Sequence, residues 1–251
     1  MIELKSKREI QLMQEAGEIL RKVFAVVKPM VVEGITTTAL DSAAEKVILE
    51  SGGEPAFKGY RGFPKTACIS INEAVVHGIP DARSLKKSDL VSFDIGVKWK
   101  GFYADAARTW QVGTSDPRKQ ALIDAAKGSL DAALAAYHAG WRIGDFSEMI
   151  QRYVEARGFQ VVRDYAGHGI GRQLHEDPQV PNYGKAGRGA KIEPGLAIAI
   201  EPMVTEGHYA VETLEDGWTV LTKDRKNASH YEDTIVFIEN GFINLTRDEV
   251  L

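Results

Sequence analysis

Two aspartates set into one apolar hairpin constrain this chain more than any other feature. The run from Leu90 to Thr109 alternates apolar residues around a polar, glycine-bearing turn at Lys98-Trp99-Lys100-Gly101. With the turn centred between Trp99 and Lys100, Asp94 on the outgoing strand faces Asp105 on the return strand. Directly opposed side chains have Cβ atoms about 5 Å apart, and like charges at that separation repel. Nothing adjacent in sequence neutralises them, so the pair calls for a cation between the carboxylates or a shared proton. The bland alternative is a solvated hairpin face.

A chain of 251 residues can bury a sizeable core, and 44% hydrophobic with 26% charged residues is ordinary for a soluble globular protein. A net charge of −4 without a basic block leaves no nucleic-acid footprint. Cys68 is the only cysteine, which excludes an intramolecular disulfide and suits a reducing compartment. The charged start Met1-Ile-Glu-Leu-Lys-Ser-Lys-Arg-Glu9 has no apolar secretory core, and no run approaches membrane-spanning length. The expected setting is soluble and cytoplasmic, with no membrane partner.

Ser6-Lys-Arg-Glu9 reads as a capping box opening a helix that runs to Pro29. A second helix follows Thr36 and ends near Gly52-Gly53. Strands are expected at Thr66–Asn72, Ala74–His77, Leu90–Val97 and Phe102–Trp110, then helices at Pro117–Tyr137 and Asp145–Arg157. Short strands close the chain at Phe159–Arg163, Leu196–Ile200, Trp218–Thr222 and Thr234–Glu239. Helices segregated from hairpins argue for α+β with antiparallel pairing. No Pro/Gly/Ser-rich linker divides the sequence, so residues 1–251 are read as a single domain. Its two halves echo one another weakly, each delivering an acid near a strand end (Phe93-Asp94 and Ile200-Glu201).

Three further segments carry chemistry. In Gly167-His-Gly-Ile-Gly-Arg-Gln-Leu-His-Glu-Asp-Pro178 two histidines stand seven residues apart, which is not a helical zinc pair. Its glycines point to a backbone that turns tightly, or comes close to something, to aim His168 and His175. Glu201 closes the apolar strand Leu196–Ile200 and is followed by a proline; Glu232 enters the apolar run ending at Ile238. Alone, either acid is best read as a solvated strand end, and either histidine as structural. Together, Asp94, Asp105, His168, Glu201 and Glu232 offer four carboxylates and an imidazole, a set suited to two hard or borderline divalent ions with an acid bridging them. Spacing alone does not bring these residues together.

Phe93-Asp-Ile-Gly with Ala104-Asp-Ala, Gly167-His-Gly-Ile-Gly with His175-Glu-Asp-Pro, Ala199-Ile-Glu-Pro-Met, Tyr231-Glu-Asp-Thr-Ile-Val and Asn72-Glu-Ala-Val-Val-His-Gly-Ile-Pro80 together resemble the type I methionine aminopeptidases, over nearly the whole chain. The resemblance implies the pita-bread α+β fold: two pseudo-symmetric halves whose antiparallel strands form a curved sheet, helices on its outer face and a dimetal site on its inner surface. It implies Asp94 as a chelating ligand of one metal, Asp105 and Glu232 as bridging carboxylates, and His168 and Glu201 as ligands of the other. Glu201 is also the implied general acid/base, with a hydroxide bridging the ions attacking the scissile carbonyl. His77 is implied to position substrate and stabilise the tetrahedral intermediate, and His175 to contact the scissile peptide. Tyr60, Phe63, Cys68, Leu174 and Trp218 fall at the walls around the methionine side chain.

Two departures stand out. Leu174 occupies a place where many bacterial members carry an aromatic residue. Asp233 replaces the histidine common after the second bridging acid, with His230 preceding, and the expected place for Asp233 is solvent. His138, near a helix end, is read as a solvent or dipole residue, and His208 is left unassigned.

The implied activity is removal of the initiator methionine from nascent proteins and peptides when the second residue is small. Two divalent ions are expected as cofactors, with Co, Mn, Fe and Zn all compatible with such a carboxylate-rich site. The expected state is a monomer, and the family allows a transient ribosome association. The lack of a long insertion or zinc-binding extension points to the bacterial type. The rivals are a proline-specific peptidase of the same fold and a metal-free binding protein built on it.

Overall fold

Lys100 and Gly101 both adopt left-handed backbone, with φ of 48° and 85°, in the computed structural model, which describes residues 2–113 and 116–247. Two successive positive φ values make the tight two-residue turn whose twist matches a hairpin. The turn therefore joins β4 (Leu90–Trp99) to β5 (Phe102–Gln111) with Trp99 opposite Phe102. This corrects the expected register. Asp105 lies opposite Gly96, and Asp94 opposite Ala107, so the two acids are diagonal neighbours rather than directly opposed. Their shared face is kept because the shift is two residues, one full period of a strand.

The four helices follow the expected order, while the second half holds six short strands beyond the four expected and the first half one more, at Glu54–Pro55. The helices are α1 (Lys7–Val27), α2 (Thr37–Glu50), α3 (Pro117–Ala136) and α4 (Ile143–Glu155). The capping box holds at α1: Ser6 accepts from the Glu9 amide and the Glu9 carboxylate accepts from the Ser6 amide. Around the long hairpin lie β1 (Glu54–Pro55), β2 (Ala67–Ile71) and β3 (Ala74–Val76). In the second half come β6 (Gln160–Val161), β7 (Ala166–Gly169), β8 (Glu176–Pro181), β9 (Ala197–Ile200), β10 (Met203–Thr205), β11 (Val211–Thr213), β12 (Val220–Thr222), β13 (Ala228–His230), β14 (Asp233–Ile238) and β15 (Gly241–Asn244).

Each half is a sheet backed by a helix pair. In the first, β2, β4 and β5 turn Ile69, Phe93, Ile95 and Ala106 toward Leu20, Val23, Leu40 and Ile48 of α1 and α2. In the second, the order β15-β14-β9-β7-β8 turns Ile198, Ile200, Ile235 and Phe237 toward Leu122, Leu130, Phe146 and Ile150 of α3 and α4. Because strand side chains alternate, these choices fix the opposite set. Asp94 and Asp105 sit between core-facing residues and so project from the helix-free face of their sheet.

The halves are joined where β5 meets the start of β14. Ala107 and Glu232 exchange backbone hydrogen bonds of 3.3 and 3.0 Å. The Thr234 hydroxyl donates to the Asp105 carbonyl at 2.8 Å and accepts from the Asp105 amide at 2.9 Å. This seam brings an acid of each half to the same place. The glycines near His168 serve close approach rather than turning: a Cβ on Gly167 would stand 2.3 Å from the Ala199 carbonyl oxygen, and one on Gly169 2.1 Å from that of Asp177. His168 is thus held on a strand, with β8 and β9 on either side.

Candidate metal centre

A cavity of about 140 Å³ opens between the two halves, and all the singled-out residues line it: Tyr60, Phe63, Cys68, His77, Asp94, Asp105, His168, Leu174, His175, Glu201, Trp218 and Glu232. Phe57 and Arg61 also line it, and neither stands out in the sequence. Ligand-capable atoms of Asp105, His168 and Glu232 lie within 4.8 Å of one another. The His168 Nε2 is 3.9 Å from Asp105 Oδ2 and 3.9 Å from Glu201 Oε1. The other ring nitrogen of His168 stands 2.9 Å from the Gly169 carbonyl. With its proton there, Nε2 keeps its lone pair for the cavity.

The acids are largely out of water. Asp105 is 3% exposed and Glu232 2% exposed, and Oδ1 of both Asp94 and Asp105 is buried without a hydrogen-bond partner. Burial, then the neighbouring Asp105 and Glu201, push the Asp94 carboxyl well above the usual range. Burial raises Asp105 to about 7. Glu201 and Glu232 are raised well up by burial and by the Asp105 charge. Burial also lowers His168 to about 4, leaving it neutral and able to ligate. The buried carboxylates of Asp94, Asp105 and Glu232 and the half-buried one of Glu201, with a neutral imidazole among them, fit divalent cations; the orphaned aspartate oxygens are where such ions would be met.

On the opposite wall the segment carrying Tyr60 and Phe63 is set by left-handed residues at Gly59 (φ 85°), Arg61 (φ 50°) and Gly62 (φ 92°). The Tyr60 hydroxyl lies 2.9 Å from His175 Nδ1, and the two rings stack with centroids 5.2 Å apart. Phe63 meets Trp218 edge to face at 5.1 Å. Trp218 is placed by an Asx turn, its amide and that of Thr219 both donating to Asp216 Oδ1 at 2.8 Å. His77 follows β3 in left-handed backbone (φ 59°), uncommon for a residue with a side chain and typical of strained functional positions. Gly78 beneath it is required by close approach, since a Cβ there would lie 2.3 Å from the Ile69 carbonyl oxygen. Leu174 is 2% exposed and keeps its part of the wall apolar.

Of the two residues beside Glu232, Asp233 differs from expectation and His230 carried none. Asp233 does not face solvent: it is fully buried and accepts from Arg108 at 2.7 Å, Asn244 at 3.0 Å and Thr246 at 2.8 Å, and from Arg247. Its partners are remote in sequence, so nothing local announces them. Strand alternation turns Glu232 into the cavity and Asp233 away from it, toward this charged network. His230, the last residue of β13 and two before Glu232, is buried with Nε2 3.5 Å from Glu201 Oε2. His138 and His208 are exposed and away from the cavity.

Two helix-backed halves enclosing an acid-rich, histidine-flanked cavity make up the pita-bread architecture of metallopeptidases, shared with solved structures down to the prolidase of Pyrococcus furiosus (TM-score 0.79, 22% identity, 98% of this chain and 66% of that one). That distant likeness is one of fold alone. The sequence matches the profile of metallopeptidase family M24 over residues 11–239. It is 49% identical to the methionine aminopeptidase of Clostridium perfringens, covering 96% of this chain and 97% of that protein. Identity to methionine aminopeptidase 1 of Bacillus subtilis is 45%, over 98% and 100% of the two chains. The crystal structure of methionine aminopeptidase from Thermotoga maritima superimposes with a TM-score of 0.97 at 42% identity, over 99% and 100%. The chain belongs to metallopeptidase family M24, in its bacterial-type methionine aminopeptidase branch.

Proposed function

We propose that this protein is a dimetal-dependent exopeptidase that removes the N-terminal methionine of nascent proteins and peptides when the second residue is small. The observation that carries the reading is the convergence of Asp105, His168 and Glu232 within 4.8 Å in a cavity also lined by Asp94 and Glu201. Asp94, Asp105 and Glu232 would hold one divalent ion, and Asp105, His168, Glu201 and Glu232 the other. When bound, such ions supply a Lewis acid for the scissile carbonyl and lower the pKa of water toward neutrality.

The chain's own groups do the rest. Glu201 accepts the proton of the attacking water and returns it to the departing amine. His77 and His175 supply donors where negative charge develops on the carbonyl oxygen and at the scissile peptide. The Tyr60 contact at Nδ1 of His175 leaves Nε2 for the substrate. Tyr60, Phe63, Cys68, Leu174 and Trp218, with Phe57, form an apolar wall for one unbranched side chain. Cys68 contributes polarizable bulk: burial and the nearby acids raise its thiol well up, so it stays protonated. The second substrate residue would meet the crowded side of the cavity, which limits its size by sterics rather than charge.

The metals are drawn from Co, Mn, Fe and Zn. The setting is the cytoplasm; separately, no helix among the described residues is long and apolar enough to cross a membrane. Residues 1–251 act as one catalytic domain, a monomer whose ribosome contact is transient.

The test is a mass-spectrometric peptide assay. Metal-free protein is reconstituted separately with Mn, Fe, Co or Zn and given Met-Ala-Ser, Met-Leu-Ser and Ala-Pro-Ser together. Methionine loss from Met-Ala-Ser alone is the expected outcome. Cleavage of Ala-Pro-Ser would move the protein to the proline-specific branch, and inertness with every metal would sink the catalytic reading.

A further inference from the structure

His230 is the one histidine among the described residues with neither ring nitrogen in a hydrogen bond while both are buried. Other histidines here settle one nitrogen on a neighbour: His168 on the Gly169 carbonyl, His175 on the Tyr60 hydroxyl, His138 on the Ala139 carbonyl. A histidine retained only for packing would be expected to do the same, since a buried polar group without a partner is destabilising.

Its backbone is clamped. The His230 amide donates to Thr109 Oγ1 at 3.0 Å, the Thr109 hydroxyl lies 2.8 Å from the His230 carbonyl, and β13 sets His230 opposite Met203. The ring points at the back of the acid cluster, with Nε2 3.5 Å from Glu201 Oε2 and 3.9 Å from Glu232 Oε2. The first is just beyond the usual N–H···O range of about 2.7–3.2 Å, a gap that a small rotation of the Glu201 side chain closes, and the second lies farther out. Glu201 is consequently bracketed by imidazoles, with Oε1 toward His168 and Oε2 toward His230.

Toward an ionised carboxylate, the form Glu201 and Glu232 take when they hold a cation, a neutral imidazole presents its N–H, because its lone pair would be repelled. We propose that His230 is a positioning residue for Glu201: it donates Nε2–H to Glu201 Oε2, with Glu232 as a secondary acceptor, and so commits Oε1 to the cavity. The proposal rests on the reading of Glu201 and Glu232 as metal-holding acids. Partners that hold a ligating side chain from behind commonly contribute about 10–100-fold to metal affinity.

The test uses full-length, metal-free protein titrated calorimetrically with Mn(II), in wild type, His230→Ala, His230→Gln and His230→Leu, with kcat and KM on Met-Ala-Ser as the second readout. The expected result is about tenfold weaker Mn binding in His230→Ala and a fall in kcat with KM little changed, and recovery to within about threefold of wild type in His230→Gln, whose amide can still donate. Thermal unfolding in chelator reports whether each variant folds. If His230→Ala does not, His230→Leu fills the space without a donor and its comparison with His230→Gln decides the matter. Wild-type affinity and kcat in a variant lacking the donor would overturn the proposal, as would equal impairment in His230→Gln. A Mn–Nε2 bond in a loaded crystal structure would overturn it too, making His230 a ligand. Wild-type protein that binds no Mn at all would sink the underlying metal site and the proposal with it.

Discussion

Tyr60 contributes to the cavity in two ways that one substitution separates. Its ring stacks on His175 and lines the apolar wall, while its hydroxyl reaches His175 Nδ1 at 2.9 Å. Tyr60→Phe keeps the wall and removes the hydrogen bond. A hydrogen bond of this kind is worth about 1 kcal/mol net, so kcat should fall about fivefold while KM stays within about twofold. Steady-state kinetics on Met-Ala-Ser checks this, and an unchanged kcat would mean that the hydroxyl does not orient His175. The acids are less forgiving. Asp105→Ala or Glu232→Ala should abolish turnover, and retained activity in either metal-reconstituted variant would refute the bridging roles. At this scale the sequence is highly legible, because the chemistry lies in residue types within short motifs: the residues given a site role from those motifs line the cavity, while Asp233 and His230 beside them do not. What it conceals is environment. Asp233 is as acidic as its neighbour Glu232, yet one is tied to Arg108 and Arg247 and the other points into the cavity.

Between elements, the placement of the acids depends on contacts the sequence does not display. The capping box of α1 and the proline-led start of α3 are local and readable. The hairpin register was not, because it turns on Lys100 adopting positive φ, which a lysine seldom does. The seam between β5 and β14 joins residues more than a hundred positions apart, and Asp233 anchors it from behind. Its partner Arg108 also donates to the Glu232 carbonyl at 2.5 Å, so the network holds the strand that delivers Glu232. Removing one member of a buried ion network leaves the others uncompensated, so Asp233→Ala should cost about 3–5 kcal/mol. Chemical denaturation measures that directly, and a loss below about 1 kcal/mol would reduce the network to an ordinary surface pair. Gly167→Ala tests the other side of the site. Its Cβ would meet the Ala199 carbonyl oxygen at 2.3 Å, forcing β7 from β9 and displacing His168. Metal affinity should drop sharply in that variant even where it remains folded.

For the whole molecule, the acid cluster couples metal, protons and stability. In the metal-free protein burial raises Asp105 to about 7 from an unfolded value near 3.8, and raises Asp94, Glu201 and Glu232 well up. Burial lowers His168 to about 4 and His230 to about 3 from 6.5, which acts in the opposite sense. Below about pH 6.5 the unfolded chain binds protons that these histidines refuse, and the native acids bind protons that the unfolded chain has released, so the two contributions oppose. Above about pH 6.5 the histidines are neutral in both states and only the acids differ. The native state then holds more protons than the unfolded one, and stability must fall as pH rises until the carboxylates have ionised. Bound divalent ions remove this dependence by taking the place of the protons. Denaturant melts from pH 6.5 to 8.5 should therefore show declining stability in chelator and a nearly flat profile with saturating Mn. Calorimetric Mn titrations near pH 7 should also release protons, visible as heats that scale with the ionisation enthalpy of the buffer. A flat chelator profile with no proton release would mean that the acids are already ionised without metal. The cavity would then have to be more open to water than its enclosure between the two halves implies.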